Sequence, residues 1–173
     1  PFARGLSERW PLTLDRSRLE AQALRSFAKA APLRVVEVMH YDPELAAILM
    51  EDLDHLTLLS TALAEGRQCH KLGAQMAEFV VNAGFANSDF SLDLAAKKSK
   101  QIQFLNPEPL QISEDLLFHD PYSNNERNQL DATLYPLAQH LWLDEQLQSQ
   151  VAALAAGFRS KQQTLLHGDL NSS

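Results

Sequence analysis

Helical periodicity over most of the chain, one pair of β-rich runs near residue 40, and a glycine-flanked aspartate after a last apolar run predict an α+β fold with little sheet. The stretch 14–31 is rich in helix formers, and Glu20, Leu24, Phe27 and Ala31 fall on one face at helical spacing before Pro32 ends the pattern. Residues 35–41 and 46–50 read as strands. Asp42-Pro43-Glu44 between them has the chemistry of a turn joining antiparallel partners. Helices follow over 57–64 and 68–83. In the longer one Leu72, Met76, Phe79, Val80 and Ala83 repeat as a single buried stripe.

Prolines at 107, 109 and 121 and Asn124-Asn125 predict a largely irregular stretch over 101–128, with a helical turn or two around 113–118. Two more helices are expected over 136–147 and 148–158, the second marked by Val151, Leu154, Ala155 and Phe158. Leu165-Leu166 reads as a closing strand that delivers His167-Gly168-Asp169 into a loop.

The composition narrows the partners. At 173 residues and 45% hydrophobic content the chain can hold a substantial core. A net charge of -7 argues against a nucleic-acid backbone or an anionic membrane as principal partner, since neither rewards an acidic surface. A small-molecule substrate fits better. One cysteine, Cys69, permits neither an internal disulfide nor a multi-thiolate metal site, and a reducing cytoplasm is the simple expectation. No apolar run is long enough to span a bilayer. His40, His55, His70, His119 and His140 show no paired spacing that suggests metal ligation, and Lys97-Lys98-Ser99-Lys100 reads as a solvated helix end.

Four places carry possible chemistry. Phosphoryl transfer needs a carboxylate that orients the acceptor hydroxyl and takes its proton, and Asp169 is the candidate. Gly168 would give the backbone a sharp path and His167 would brace the loop, although the three residues alone read as well as a strand ending in a polar turn. Met50-Glu51-Asp52-Leu53 lies between a strand and the helical block, where bilobal kinases place an adenine-binding hinge. The contacts there would be the Glu51 carbonyl and the Leu53 amide, and the other reading is an ordinary connection with Asp54 or Thr57 as N-cap. Glu20 also has two readings: partner of a phosphate-binding lysine, or the closing glutamate of a Ser17-x-x-Glu20 capping box. Trp10, before Pro11, is expected to plug the start of the first helix.

Taken together, the segments Trp10-Pro11-Leu12-Thr13 with Asp15-Arg16 and Glu20, Met50-Glu51-Asp52-Leu53, Phe104-Leu105-Asn106-Pro107-Glu108, Ser113-Glu114-Asp115-Leu116 with Asp120-Pro121-Tyr122, and Leu166-His167-Gly168-Asp169-Leu170 resemble the methylthioribose kinase family. That family belongs to the aminoglycoside-phosphotransferase-like branch of the protein-kinase fold. The resemblance implies part of an N-lobe over 1–53 and a mostly helical C-lobe over 54–173 ending in the catalytic loop. It implies transfer of the γ-phosphate of ATP, with Mg2+, to the 1-hydroxyl of 5-methylthioribose in methionine salvage, by a cytoplasmic homodimer.

On this mapping Asp169 is catalytic and touches substrate, Glu20 pairs with the nucleotide-binding lysine, Glu51 and Leu53 contact adenine, and Trp10 is the tryptophan of a loop near the substrate. The glycine-rich loop and its lysine would precede residue 1, and the metal-binding D-x-E segment would follow residue 173. No metal ligand is therefore expected within this segment, which by itself should not turn over. The family's H-G-D-L-H-T-G-S string departs here to Asn171-Ser172-Ser173 after Leu170. Two alternatives remain open: another aminoglycoside- or choline-kinase-like phosphotransferase, and a kinase-like binding module without catalysis.

Overall fold

The computed structural model describes Trp10 and residues 12–168. Helix α1, Asp15–Ala30, closes with the Ala31 amide donating to the Phe27 carbonyl, one residue before Pro32. Strands β1, Val38–Asp42, and β2, Ala47–Met50, pair antiparallel with Tyr41 opposite Ile48, and the register slips between Val38 and His40. Their turn is built as the sequence suggests: Asp42 Oδ1 accepts the amides of Glu44 (2.9 Å) and Leu45 (3.0 Å).

Helices α2, Leu59–Ala64, α3, Leu72–Ala86, and α4, Leu94–Gln103, follow, with Asp93 capping α4 through the Ala96 amide. Next come α5, Pro107–Glu114, a π-helical turn over Asp115–His119 and a 3-10 turn over Asp120–Tyr122. After a further 3-10 turn, Ala132–Leu134, the chain forms α6, Tyr135–Leu143, and α7, Glu145–Ser160.

The chain divides into two compact units, Thr13–Leu105 with Gln163–Ser173, and Pro1–Leu12 with Asn106–Gln162. In the first, Phe27 and Ala31 pack on Phe79 and Ala83, with Ala23, Val35 and Leu165 around them. Phe27 and Phe79 meet edge to face at 5.6 Å between centroids, the arrangement their ring quadrupoles favour. Helix α1 also lies against both strands. In the second unit Phe118 packs on Phe158 at 5.5 Å, Val151 and Ala155 of α7 are buried, and the Arg159 guanidinium pairs with buried Glu114 at 2.7 Å.

Several expectations need correction. The stretch 101–128 is mostly helical, because a proline in the first turn of a helix lacks only an amide that would have had no partner; Pro107 starts α5 and Pro121 sits in a 3-10 turn. The boundary near 147 lies at Asp144 instead, whose carboxylate caps α7 through the Leu147 amide at 2.9 Å. Leu165-Leu166 carries no regular secondary structure and, among the described residues, finds no strand to pair with. Val80 and Leu154 are exposed, so the apolar stripes of α3 and α7 are narrower than their spacing implied.

Lys100 is not a solvated helix-end cation. Its ammonium donates to Asn87 Oδ1 (2.6 Å) and Ser26 Oγ (3.1 Å), and burial first, then the nearby Lys29 charge, lowers its pKa.

The contrast between neighbours on α3 is testable by urea unfolding. Phe79→Ala should cost about 3–5 kcal/mol by opening the Phe27 cluster, whereas Val80→Ala should change stability by no more than about 0.5 kcal/mol. Equal effects at the two positions would contradict the placement of the core.

Candidate functional site

The strand-to-helix connection is held by bonds on either side of Asp52. The Glu51 amide extends the strand pairing to the Glu37 carbonyl at 2.9 Å, and the Glu51 carboxylate accepts the Glu37 amide at 2.9 Å. Two residues on, the Leu53 carbonyl accepts the Leu56 amide at 2.9 Å, and Asp52 Oδ1 accepts the Asp54 amide. Among the described residues these bonds use neither the Glu51 carbonyl nor the Leu53 amide. The capping alternative is not realised, since α2 starts after Leu58 with no side-chain cap.

Glu20 is exposed on α1. The capping box it would close does not form, because the helix already begins at Asp15 and Ser17 lies inside the first turn, its amide bonded to the Leu14 carbonyl. Asp15 pairs instead with Arg18 at 2.7 Å, a hydrogen bond that lowers the carboxyl pKa.

Among the described residues, the chain's approach to the His-Gly-Asp string is fixed by a side-chain bond, a loop backbone bond and ring packing rather than by a sheet. Thr164 Oγ1 donates to the Gly84 carbonyl at 2.7 Å, and the Asp89 amide donates to the Gln163 carbonyl at 3.3 Å. The His167 ring stacks on Phe27 at 6.5 Å and meets Phe79 edge-on at 6.2 Å, so its bracing comes at least in part from ring packing. Gly168 adopts φ +85°, a left-handed conformation that side chains with a Cβ resist. Asp169 lies outside the described residues, as do Asn171, Ser172 and Ser173.

Trp10 is buried, but its described partners are not those of a plug for the first helix. Its indole Nε1 donates to Asp115 Oδ2 at 2.8 Å, across 105 positions, and the Arg127 guanidinium lies over its ring at 5.5 Å. Gln111 Nε2 donates to the other Asp115 oxygen at 2.9 Å. Arg127 is gripped by Asp120 through bonds of 2.6–3.1 Å and lies 3.5 Å from Asp115.

Burial raises the Asp115 pKa, but the bonds from Trp10 and Gln111 and the Arg127 charge outweigh it and hold the carboxyl below its usual range. The Asp120 bond likewise raises the pKa of Arg127. Residue reasoning assigned no role to Asp115, Asp120 or Arg127. The faint signal was acids embedded in the apolar string Asp115-Leu116-Leu117-Phe118-His119-Asp120 with a guanidinium close behind in the chain.

The pattern of the Phosphotransferase enzyme family matches residues 8–173. The chain belongs to that family. Its protein-kinase-like fold accords with the mostly helical α+β architecture and its two-stranded sheet. Proteins named methylthioribose kinase are similar to it: 44% identical in Pectobacterium carotovorum subsp. carotovorum, 43% in Pectobacterium atrosepticum and 41% in Yersinia enterocolitica, in each case over 99% of this chain. The chain spans 43% of the length of each of these relatives. No helix among the described residues is long and apolar enough to cross a membrane, and Cys69 is an exposed free thiol.

Because the Asp115 pKa is depressed in the folded state, its contribution to stability is present above the unfolded carboxyl value of about 3.9 and is lost as pH falls through the folded value. Acid unfolding followed from pH 6 downward should therefore be less steep in Asp115→Asn than in the wild type. Identical acid limbs would contradict the account of Asp115.

Proposed function

We propose that this chain carries the adenine hinge and the catalytic aspartate of an ATP-dependent kinase that phosphorylates the 1-hydroxyl of 5-methylthioribose. The observation that carries the reading is the 44% identity, over 99% of the chain, to a protein named methylthioribose kinase. The uncommitted Glu51 carbonyl and Leu53 amide support the nucleotide half of it, since adenine offers a matching donor and acceptor edge. On this reading residues 1–53 belong to the N-lobe and 54–173 to the C-lobe of a homodimeric, cytoplasmic enzyme of methionine salvage.

In the reaction Asp169 accepts the hydroxyl proton as the sugar oxygen forms a bond to the γ-phosphorus, while the bond from that phosphorus to the β,γ-bridging oxygen breaks and ADP leaves. Glu20, exposed on α1, orients the lysine that holds the nucleotide phosphates. Trp10 stands near the acceptor sugar. His167 and Gly168 set the path into the loop through the Phe27 and Phe79 rings and the left-handed turn.

Magnesium, when bound, would neutralise charge on the transferring phosphoryl group. Among the described residues no three His, Cys, Asp or Glu side chains converge to hold a metal, so none is assigned as its ligand.

The test is an assay of the full-length enzyme with ATP, magnesium and methylthioribose. The expected product is the 1-phosphate, and Asp169→Asn should lower kcat by about a hundredfold or more with ATP affinity retained. Phosphorylation of an aminoglycoside, choline or another sugar in place of methylthioribose would overturn the substrate assignment. Nucleotide binding with no transfer to any acceptor would favour a binding module.

A further inference from the structure

Helix α3 has more apolar surface than its core uses. With 3.6 residues per turn, Leu72, Met76, Phe79 and Ala83 line one side, on which Phe79 and Ala83 meet Phe27 and Ala31. Gln75, Glu78 and Asn82 make a narrow polar stripe, in which Glu78 pairs with Arg34 at 2.6 Å. The rest of the circumference carries Gly73, Ala77, Val81, Gly84 and Phe85, none of them polar. Val81 is 64% exposed and Phe85 59%. Val80 lies between this face and the core and belongs to neither. A helix that is apolar on two sides is suited to burial on both.

The glycines sharpen the point. Glycine inside a helix is less favourable than alanine, and a Cβ added at Gly73 or Gly84 would meet nothing within 4 Å. Among the described residues nothing therefore needs a glycine at either place. Small residues along a helix face let a second backbone approach closely.

The size of the face and the path of the chain indicate what fills it. From Gly73 to Gly84 the face is about 17 Å long and one helix wide, well short of the roughly 800 Å² per partner of a specific dimer interface. It fits a single apolar helix. The returning segment runs back along α3, from the Thr164 bond at Gly84 to the His167 ring at Phe79, so the path out of residue 168 starts beside this helix. The relatives in Pectobacterium and Yersinia are more than twice as long, since the chain covers 43% of each.

We propose that the Gly73, Ala77, Val81, Gly84 and Phe85 face of α3 seats an apolar helix from the part of the full-length protein that follows residue 173. Helix α3 is then a wall shared by two cores, one holding the approach to the His-Gly-Asp string and one built with the later helix. The proposal goes beyond the reading of the reaction and stands whichever acceptor the enzyme uses.

The experiment uses the full-length protein carrying Val81→Cys, labelled with iodoacetamide and read peptide by peptide by mass spectrometry. The thiol introduced at position 81 should react at least about tenfold more slowly in the native protein than in urea, at every protein concentration, while exposed Cys69 reacts readily in both. A smaller difference overturns the proposal. Protection that disappears on dilution assigns the face to a second copy and overturns it too.

The occupant is identified by replacing Phe85 with photoreactive p-benzoylphenylalanine in the same full-length protein. Adducts with peptides beyond residue 173 are expected; adducts only with residues 1–173, with the part preceding residue 1 or with a second copy contradict the assignment. If either variant fails to fold, hydroxyl-radical oxidation of the unsubstituted protein decides. Phe85 should then oxidise at least about tenfold more slowly than free phenylalanine, and a smaller protection overturns the proposal.

Discussion

The ring packing of Phe27, Phe79 and His167 is the constraint on which the arrangement of the first unit depends. Phe27 and Phe79 are the large side chains of a small core otherwise made of alanines, so the approach of α1 to α3 is set by their edge-to-face contact. Among the described residues, the returning segment after Gln163 has no sheet to hold it. It is fixed by the Thr164 and Gln163 bonds to Gly84 and Asp89, by Leu165 packing against the core, and by His167 lying on the two phenyl rings. Glu20 stands seven residues before Phe27 on the same helix, about 10 Å along its axis. One aromatic cluster thus references both the helix that offers Glu20 and the path toward Asp169.

The second unit solves a different problem. Its buried acids are satisfied by two guanidinium groups, Arg159 for Glu114 and Arg127 for Asp120, and Arg127 also covers Trp10. Buried ion pairs of this kind contribute little net stability compared with apolar packing, but removing one partner is costly because it strands the other charge. They are better understood as fixing one arrangement of the chain, and here that arrangement places an indole.

What the sequence made legible was local. The α1 pattern, the Asp42 turn and the strand pair followed from residues within a few positions of one another, and the structure forms them close to the expected bounds. The same local reasoning misjudged 101–128 by treating prolines as breakers, although Pro107 occupies a first-turn position where it costs no hydrogen bond. It read Leu165-Leu166 as a strand from composition alone, whereas a strand is defined by a partner. Val80 shows the limit of periodicity: it follows Phe79 at an apolar position, but the neighbouring surface that covers Phe79 does not reach it. The Trp10 to Asp115 bond had no local signature, because a contact across 105 positions is specified only by the folded chain. Motif reading, by contrast, found the family from strings such as Trp10-Pro11-Leu12-Thr13 without any of this geometry.

The central claim is that the aromatic cluster, rather than strand pairing, holds the chain where it approaches the His-Gly-Asp string. A double-mutant cycle with Phe27→Leu and His167→Ala, read as unfolding free energy in the full-length enzyme, measures this directly. The account predicts a coupling of about 0.5 kcal/mol or more between the two positions. Additivity within about 0.3 kcal/mol would contradict it.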